Sequence, residues 1–128
     1  MSSAADLIRR FYETRQHGDP QLLRPFLSPD VRWMEPTVGT HMGTLVGVEA
    51  VLDMLSRALA TTGGTFSLQI TQTIETANTC AAVIAWAATK DDRPVRGREL
   101  AVFEVTDDLI TTATFHAERL SDDEAFWA

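Results

Sequence analysis

The chain has little of what staples, anchors or addresses a protein. It holds one cysteine, Cys80, so no disulfide can form within it. Its 11 lysines and arginines face 18 aspartates and glutamates, a formal net charge of −7. Nucleic acid and anionic membrane both want a basic face, so neither is expected as a partner. No run reaches the roughly 18 apolar residues that a spanning helix needs. No apolar stretch behind a basic one opens the chain, so no signal peptide is expected, and the location reads as cytoplasmic. Several chemistries lack their motifs as well. No Gly-rich loop precedes a helix to cradle phosphate; Gly63-Gly64 follows one instead. No nucleophile elbow surrounds a serine. His116 and Glu118 could share a strand face, but no third ligand follows at metal-site spacing, so no metal and no cofactor is expected. Cys80 lies among strand apolar residues and reads as buried filler.

What is present is an ordinary globular composition, 45% hydrophobic and 23% charged. A length of 128 residues suits one domain, 1–128, without linker or repeat. Ser3 followed by Asp6 resembles a capping box and opens a helix with Ala4, Leu7, Ile8, Phe11 and Tyr12 on its apolar face. Gly18 stops it, and Asp19-Pro20 restarts a short second helix expected to bury Leu22, Leu23, Phe26 and Leu27. Ser28-Pro29-Asp30 reads as a turn into a strand, Val31 to Glu35, and a long loop follows. Val48, Val51, Leu52, Leu55 and Leu59 recur at helical spacing until Thr62-Gly63-Gly64. The period then changes. "TFSLQITQTIE" alternates, with Phe66, Leu68, Ile70 and Ile74 expected on one side. "TCAAVIAWAATK", "VRGRELAVFEV" and "LITTATFHAERL" follow, joined by turns at Asp91-Asp92-Arg93-Pro94 and Asp107-Asp108. Helices segregated from a four-strand antiparallel meander make an α+β class. Phe126 and Trp127 in the acidic tail are expected to pack on the body or on a partner chain.

The element order carries a resemblance. "GDPQLL" lies between the first two helices, "SPDVRW" enters the strand, Gly47 opens the third helix, and "GGTF" and "EAFW" come later. Together these resemble the nuclear transport factor 2-like superfamily, and within it the SnoaL-like and ketosteroid-isomerase-like small proteins. The resemblance implies a cone: a curved antiparallel sheet wrapped around three helices, with an internal apolar pocket. It also implies frequent dimerisation through the outer sheet face, and hence a homodimer here.

Alternation puts Val31, Trp33 and Glu35 on one strand face. An acid beside a tryptophan in an apolar cavity should have a raised pKa, which suits proton transfer near neutral pH. The bland alternative is a strand-end Glu paired with an Arg. "EPTVG" is similar to the strand end that carries the general base of ketosteroid isomerases, so the resemblance puts Glu35 at the base position. It also removes that enzyme's other groups. Its helix tyrosine falls at Phe11, its supporting tyrosines at Leu27 and Leu55, and its protonated aspartate at Ala101. Tyr12 is about 100° away around the helix. Steroid isomerisation by that mechanism is therefore not expected.

Glu99 shares a strand face with Ala101, Phe103 and Val105, and is either a second pocket acid or half of a rim ion pair. The Asp-Arg-Asp set of the superfamily's epoxide hydrolases is not reproduced, because Gly97 stands at the Arg position. His41 lies in the long loop, where Gly39 and Gly43 would permit hinge motion over a cavity mouth. His17 reads as a cation at a helix end, and His116 as facing outward. The expected catalytic set is thus Glu35 as base with Glu99 or His41 as acid. The expected pocket lining is Phe11, Tyr12, Trp33, Leu55, Trp86, Phe103 and Phe115. The expected function is acid–base catalysis (isomerase, cyclase or hydrolase) on a small apolar metabolite, cyclic ones included. The alternatives are a non-catalytic binder using the same pocket and a dimeric assembly domain with a vestigial one.

Overall fold

The computed structural model describes residues 3–35 and 43–119. The expectations for Gly39, His41, Phe126 and Trp127 lie outside the described residues. Within them the order is α1 (Ala4–Arg15), a 3₁₀ helix (Pro20–Phe26), β1 (Leu27–Met34), β2 (Thr44–Val46), α2 (Val48–Thr61), β3 (Ser67–Glu75), β4 (Thr79–Lys90), β5 (Arg93–Thr106) and β6 (Leu109–Ala117). The strands form one open sheet in the order β2-β1-β6-β5-β4-β3. The meander β3–β6 is antiparallel throughout, while β1 joins β6 in parallel. That pairing lies outside the sequence reading, because a parallel neighbour is reached through a crossover that leaves no local signal.

Alternation along the meander defines the concave face. Cys80, Ala82, Ile84, Trp86 and Ala88 of β4, Ala101 and Phe103 of β5, and Ala113 and Phe115 of β6 are all buried. Helix α1 lies against β3 and β4 with Leu7, Ile8, Phe11 and Tyr12 buried. Its N-terminus is capped twice: Asp6 N donates to Ser3 Oγ at 3.1 Å, and Ala5 N donates to Glu75 Oε2 at 2.8 Å. Arg9 Nη2 donates to Thr73 Oγ1 at 2.8 Å, and Gln16 Nε2 to the Leu68 carbonyl at 2.9 Å.

The contacts of Glu75 and Thr73 exist because β3 departs from simple alternation. Its register with β4 shifts between Ile70 and Gln72. One extra residue reverses every later side chain. Thr73 and Glu75 therefore turn toward α1, and Ile74, expected inside, is 77% exposed. Three further expectations are corrected. The second helix is a 3₁₀ turn containing Pro25; it buries Leu23 but leaves Leu22 48% exposed. A tighter helix with an internal proline presents a narrower apolar stripe. Leu27 is buried, but as the first residue of β1, and Ser28–Asp30 fall where that strand slips register against β6 rather than in a separate turn. The short strand β2 pairs with β1 inside what the sequence presents as loop.

Two hairpin loops contain two residues each, Asp91-Asp92 and Asp107-Asp108, and all four aspartates have positive φ. Arg93 and Pro94 thus belong to β5 and not to the turn. The left-handed conformation suits the right-handed twist of a hairpin but strains any residue with a Cβ. Replacing the second residue of either loop, Asp92→Gly or Asp108→Gly, should raise stability by a few tenths to about 1 kcal/mol. Urea unfolding checks this; a loss of stability would contradict the turn assignment.

Candidate functional site

Away from the Thr73 and Glu75 contacts, the charges of Glu99, Arg15 and Glu35 act on Tyr12 of α1. Glu35 follows Met34, which pairs with Thr114, so it comes level with Phe115 on the inner face. Its backbone N–H donates to the Gly43 carbonyl at 3.0 Å. Its Oε1 accepts from the Trp33 indole Nε1 at 2.9 Å. Residues two apart on a strand share a face, which lets the fully buried indole hold the carboxylate in place. Glu35 is half-buried by accessible area, but its carboxyl is crowded by protein atoms. Burial pushes it above its ordinary value, while the indole hydrogen bond and the Arg15 charge act the other way. Among the described residues no Lys or Arg lies within ion-pair distance of it.

Glu99 sits half-buried on β5 opposite Ile84 and Ala117. Strand β6 lies between β1 and β5, and Glu99 is level with Ala117, two residues beyond Phe115, so the backbones carrying Glu35 and Glu99 are about 12 Å apart. Tyr12 brings them into one electrostatic neighbourhood. It is 2% exposed, and burial followed by the Glu99 charge, with smaller effects from Glu35 and Cys80, raises its pKa well above the ordinary phenol value; Arg15 opposes this. Tyr12 Oη has no hydrogen-bond partner.

The expected lining residues divide in two. Phe11, Tyr12, Trp33, Phe103 and Phe115 form one continuous set of ring contacts, with centroids 4.7 Å apart for Trp33–Phe115 and 6.4 Å for Phe11–Phe103. Leu55 is buried on α2 and borders a cleft of 30 Å³ with Arg15, Leu23, Phe66 and Leu68. Trp86 stacks on Phe66 at 5.9 Å with planes 14° apart. It lies across its β5 partner Gly97, where an added Cβ would come within 2.8 Å of the indole. Gly97, read in the sequence only as a missing arginine, is therefore the floor beneath Trp86. Arg15, which sequence reading did not single out, places its guanidinium 5.7 Å over the Phe66 ring. Its signal was available: it lies three residues after Tyr12, on the same helix face. His116 is exposed, and among the described residues no cluster of three or more His, Cys, Asp or Glu could hold a metal ion.

The family model described as a SnoaL-like domain matches residues 8–113. The chain belongs to the SnoaL-like family. Solved structures agree in fold. Bal32a from a soil-derived mobile gene cassette is 22% identical, with 97% of this chain and 95% of that one covered and a TM-score of 0.91. A nuclear transport factor 2-like protein from Burkholderia pseudomallei is 22% identical over 100% of both chains, with a TM-score of 0.84. TerC, co-crystallised with polyporic acid, is 16% identical over 97% and 98%, with a TM-score of 0.80. At these identities the likeness establishes the cone fold of the SnoaL-like domain and no reaction. No curated protein sequence matches this one significantly.

The Trp86–Gly97 contact gives a direct test of the SnoaL-like interior. Gly97→Ala should displace the indole, cost about 1–3 kcal/mol of stability and red-shift tryptophan emission. Unchanged emission with unchanged stability would contradict the packing.

Proposed function

We propose that this SnoaL-like protein is an acid–base enzyme for a small apolar metabolite held against the concave face, with Glu35 as the base. The observation that carries this is the Glu35 carboxyl, pushed upward by burial, oriented by the Trp33 indole, and without an arginine partner among the described residues. A carboxylate raised in this way is a stronger base than an exposed one, and its orientation is set before a substrate arrives. Glu99 or His41 would carry the complementary proton. Phe11, Tyr12, Trp33, Phe103 and Phe115 supply the apolar wall, and Leu55 and Trp86 with Phe66 the opposite end. Proton transfer of this kind serves isomerisation, cyclisation or hydrolysis. The crystallisation of TerC with polyporic acid supports the use of this fold for small organic molecules. The enzyme would work in the cytoplasm; among the described residues no helix is long and apolar enough to cross a membrane.

The sheet's outer face supports a homodimer. Ile74 pairs with Ala81, which pairs with Val102; Val83 pairs with Leu100 beside it. Ile74 and Leu100 are exposed, so an apolar patch crosses three strands. Light scattering should give about twice 14.1 kDa at micromolar concentration, and Leu100→Arg should return the monomer. A monomeric parent chain would reject the dimer.

Glu35 is tested by carboxyl titration in NMR, where its pKa should exceed that of an exposed Glu, about 4.3. The linkage has a definite sign. With a raised folded-state value, the native state binds more protons than the unfolded state between the two pKa values. Stability from this group is therefore full at low pH and falls as pH rises through that window. Glu35→Gln should match the parent at pH 4 and be the more stable at pH 8, while abolishing turnover of an identified substrate. A Glu35 that titrates at or below 4.3 would instead favour a non-catalytic binder.

A further inference from the structure

The outer face of the sheet, on the far side from Glu35, carries a groove. Ser67 of β3, Ala87 of β4 and Arg96 of β5 form one rung across it, and Gln69, Ala85 and Arg98 form the next. The two alanines lie between longer side chains and leave a trough of about 430 Å³. Arg119, two residues beyond β6, lines it as well. Glu118 is the one carboxylate of the lining, and Arg98 Nε donates to its Oε2 at 2.8 Å. Arg96 and Arg119 form no ion pair among the described residues. The groove is thus positive on a chain whose net charge is −7.

The described chain stops at the edge of this groove, at Arg119. Its neighbour Glu118 is tied to β5, because its N–H donates to the Arg98 carbonyl at 2.9 Å. The nine residues that follow, Leu120 to Ala128, read "LSDDEAFWA". They hold the longest acidic run of the sequence, Asp122-Asp123-Glu124, then Phe126 and Trp127, and no lysine or arginine. Their reach is sufficient. Neighbouring strands lie about 4.8 Å apart, so β4 is about 10 Å from β6 and β3 about 14 Å. An extended chain covers roughly 3.3–3.6 Å per residue, so the three acids reach the arginines of β5 and the two rings reach the alanines of β4 after a turn. Arginine forks match carboxylates in geometry and set position. Covering the rings supplies most of the strength, since exposed ion pairs add little.

We propose that this groove is the docking site of the chain's own segment 120–128, with the three acids against Arg96 and Arg119 and the two rings over Ala85 and Ala87. An acidic, aromatic segment of another chain has the same chemistry, but this one begins at the groove's edge, which gives it a high effective concentration there. The Val83–Leu100 pair is the next rung along, so the docked segment borders the apolar patch without covering it. The inference depends on neither Glu35 nor the dimer.

The test uses Trp127 as a probe in the full chain. Emission and acrylamide quenching are measured for the parent and for Trp127→Phe, and the difference separates Trp127 from Trp33 and Trp86. Docked, Trp127 should emit to the blue of a free peptide of residues 120–128 and be quenched less. Reversing the groove, with Arg96→Glu and Arg119→Glu, should move Trp127 to the peptide's values and lower Tm by no more than a few degrees. Reversing the segment, with Asp122→Lys, Asp123→Lys and Glu124→Lys, should do the same, and it alters no described residue. The two reversals together should restore the parent's emission, which a merely damaged fold would not. A peptide-like Trp127 in the parent would overturn the proposal. So would shielding that survives either reversal, or a combination that fails to restore it. Shielding lost on about hundredfold dilution would give the groove to a second copy's segment and overturn docking within one chain.

Discussion

Phe11 holds the layers together. It is fully buried, and its ring touches Phe26 of the 3₁₀ helix at 6.0 Å, Trp33 of β1 at 6.1 Å and Phe103 of β5 at 6.4 Å. One side chain on α1 thus contacts three separate parts of the chain. The sheet makes room for it with small residues: Ala82, Ala101 and Ala113 are fully buried on the concave face. Aromatic rings bring large buried area and favour edge-on or tilted contacts, so the set both stabilises the interior and fixes the depth at which α1 sits. Everything polar on the concave face is positioned relative to that depth.

The distribution of charge follows from the same packing. Arg24–Glu49, Arg57–Asp53, Arg98–Glu118 and Arg9–Asp6 pair on the surface, where ion pairs contribute little to stability. The carboxyls of Glu49 and Glu118 are held below their ordinary values by their arginines, whereas that of Glu35 is raised by burial. The difference is one of environment, not residue type. Arg15 is the cation whose charge reaches Glu35, and it stands over Phe66 rather than in contact with the carboxylate. It moderates the interior charge without neutralising it.

Periodicity made α1, α2 and the four meander strands legible, because long amphipathic segments write their burial into the sequence. The same rule placed Trp33 and Glu35 on one face and sent His116 outward. It failed where geometry breaks period. The slip near Thr71 reverses Thr73, Ile74 and Glu75, and no residue type there announces it. β2 has three residues, too few to show alternation. Pro25 inside the second helix was a visible warning that the segment would be 3₁₀ and bury less. At the site, Glu35 was legible from its own strand. The unanswered hydroxyl of Tyr12 was not, because whether a buried donor finds a partner depends on four elements meeting in space. Gly97 was misread for a related reason: its meaning lies in the Trp86 ring across the strand pair, not in its neighbours along the chain.

Stability and use pull in opposite directions in this interior. A domain of this size has roughly 5–15 kcal/mol of net stability, so each unsatisfied or desolvated polar group is a noticeable fraction. Two such groups stand out in this interior: burial raises the Glu35 carboxyl, and the Tyr12 hydroxyl has no hydrogen-bond partner. The Glu35 charge acts on the Tyr12 hydroxyl, yet no hydrogen bond joins them, so neither group offsets what the other costs.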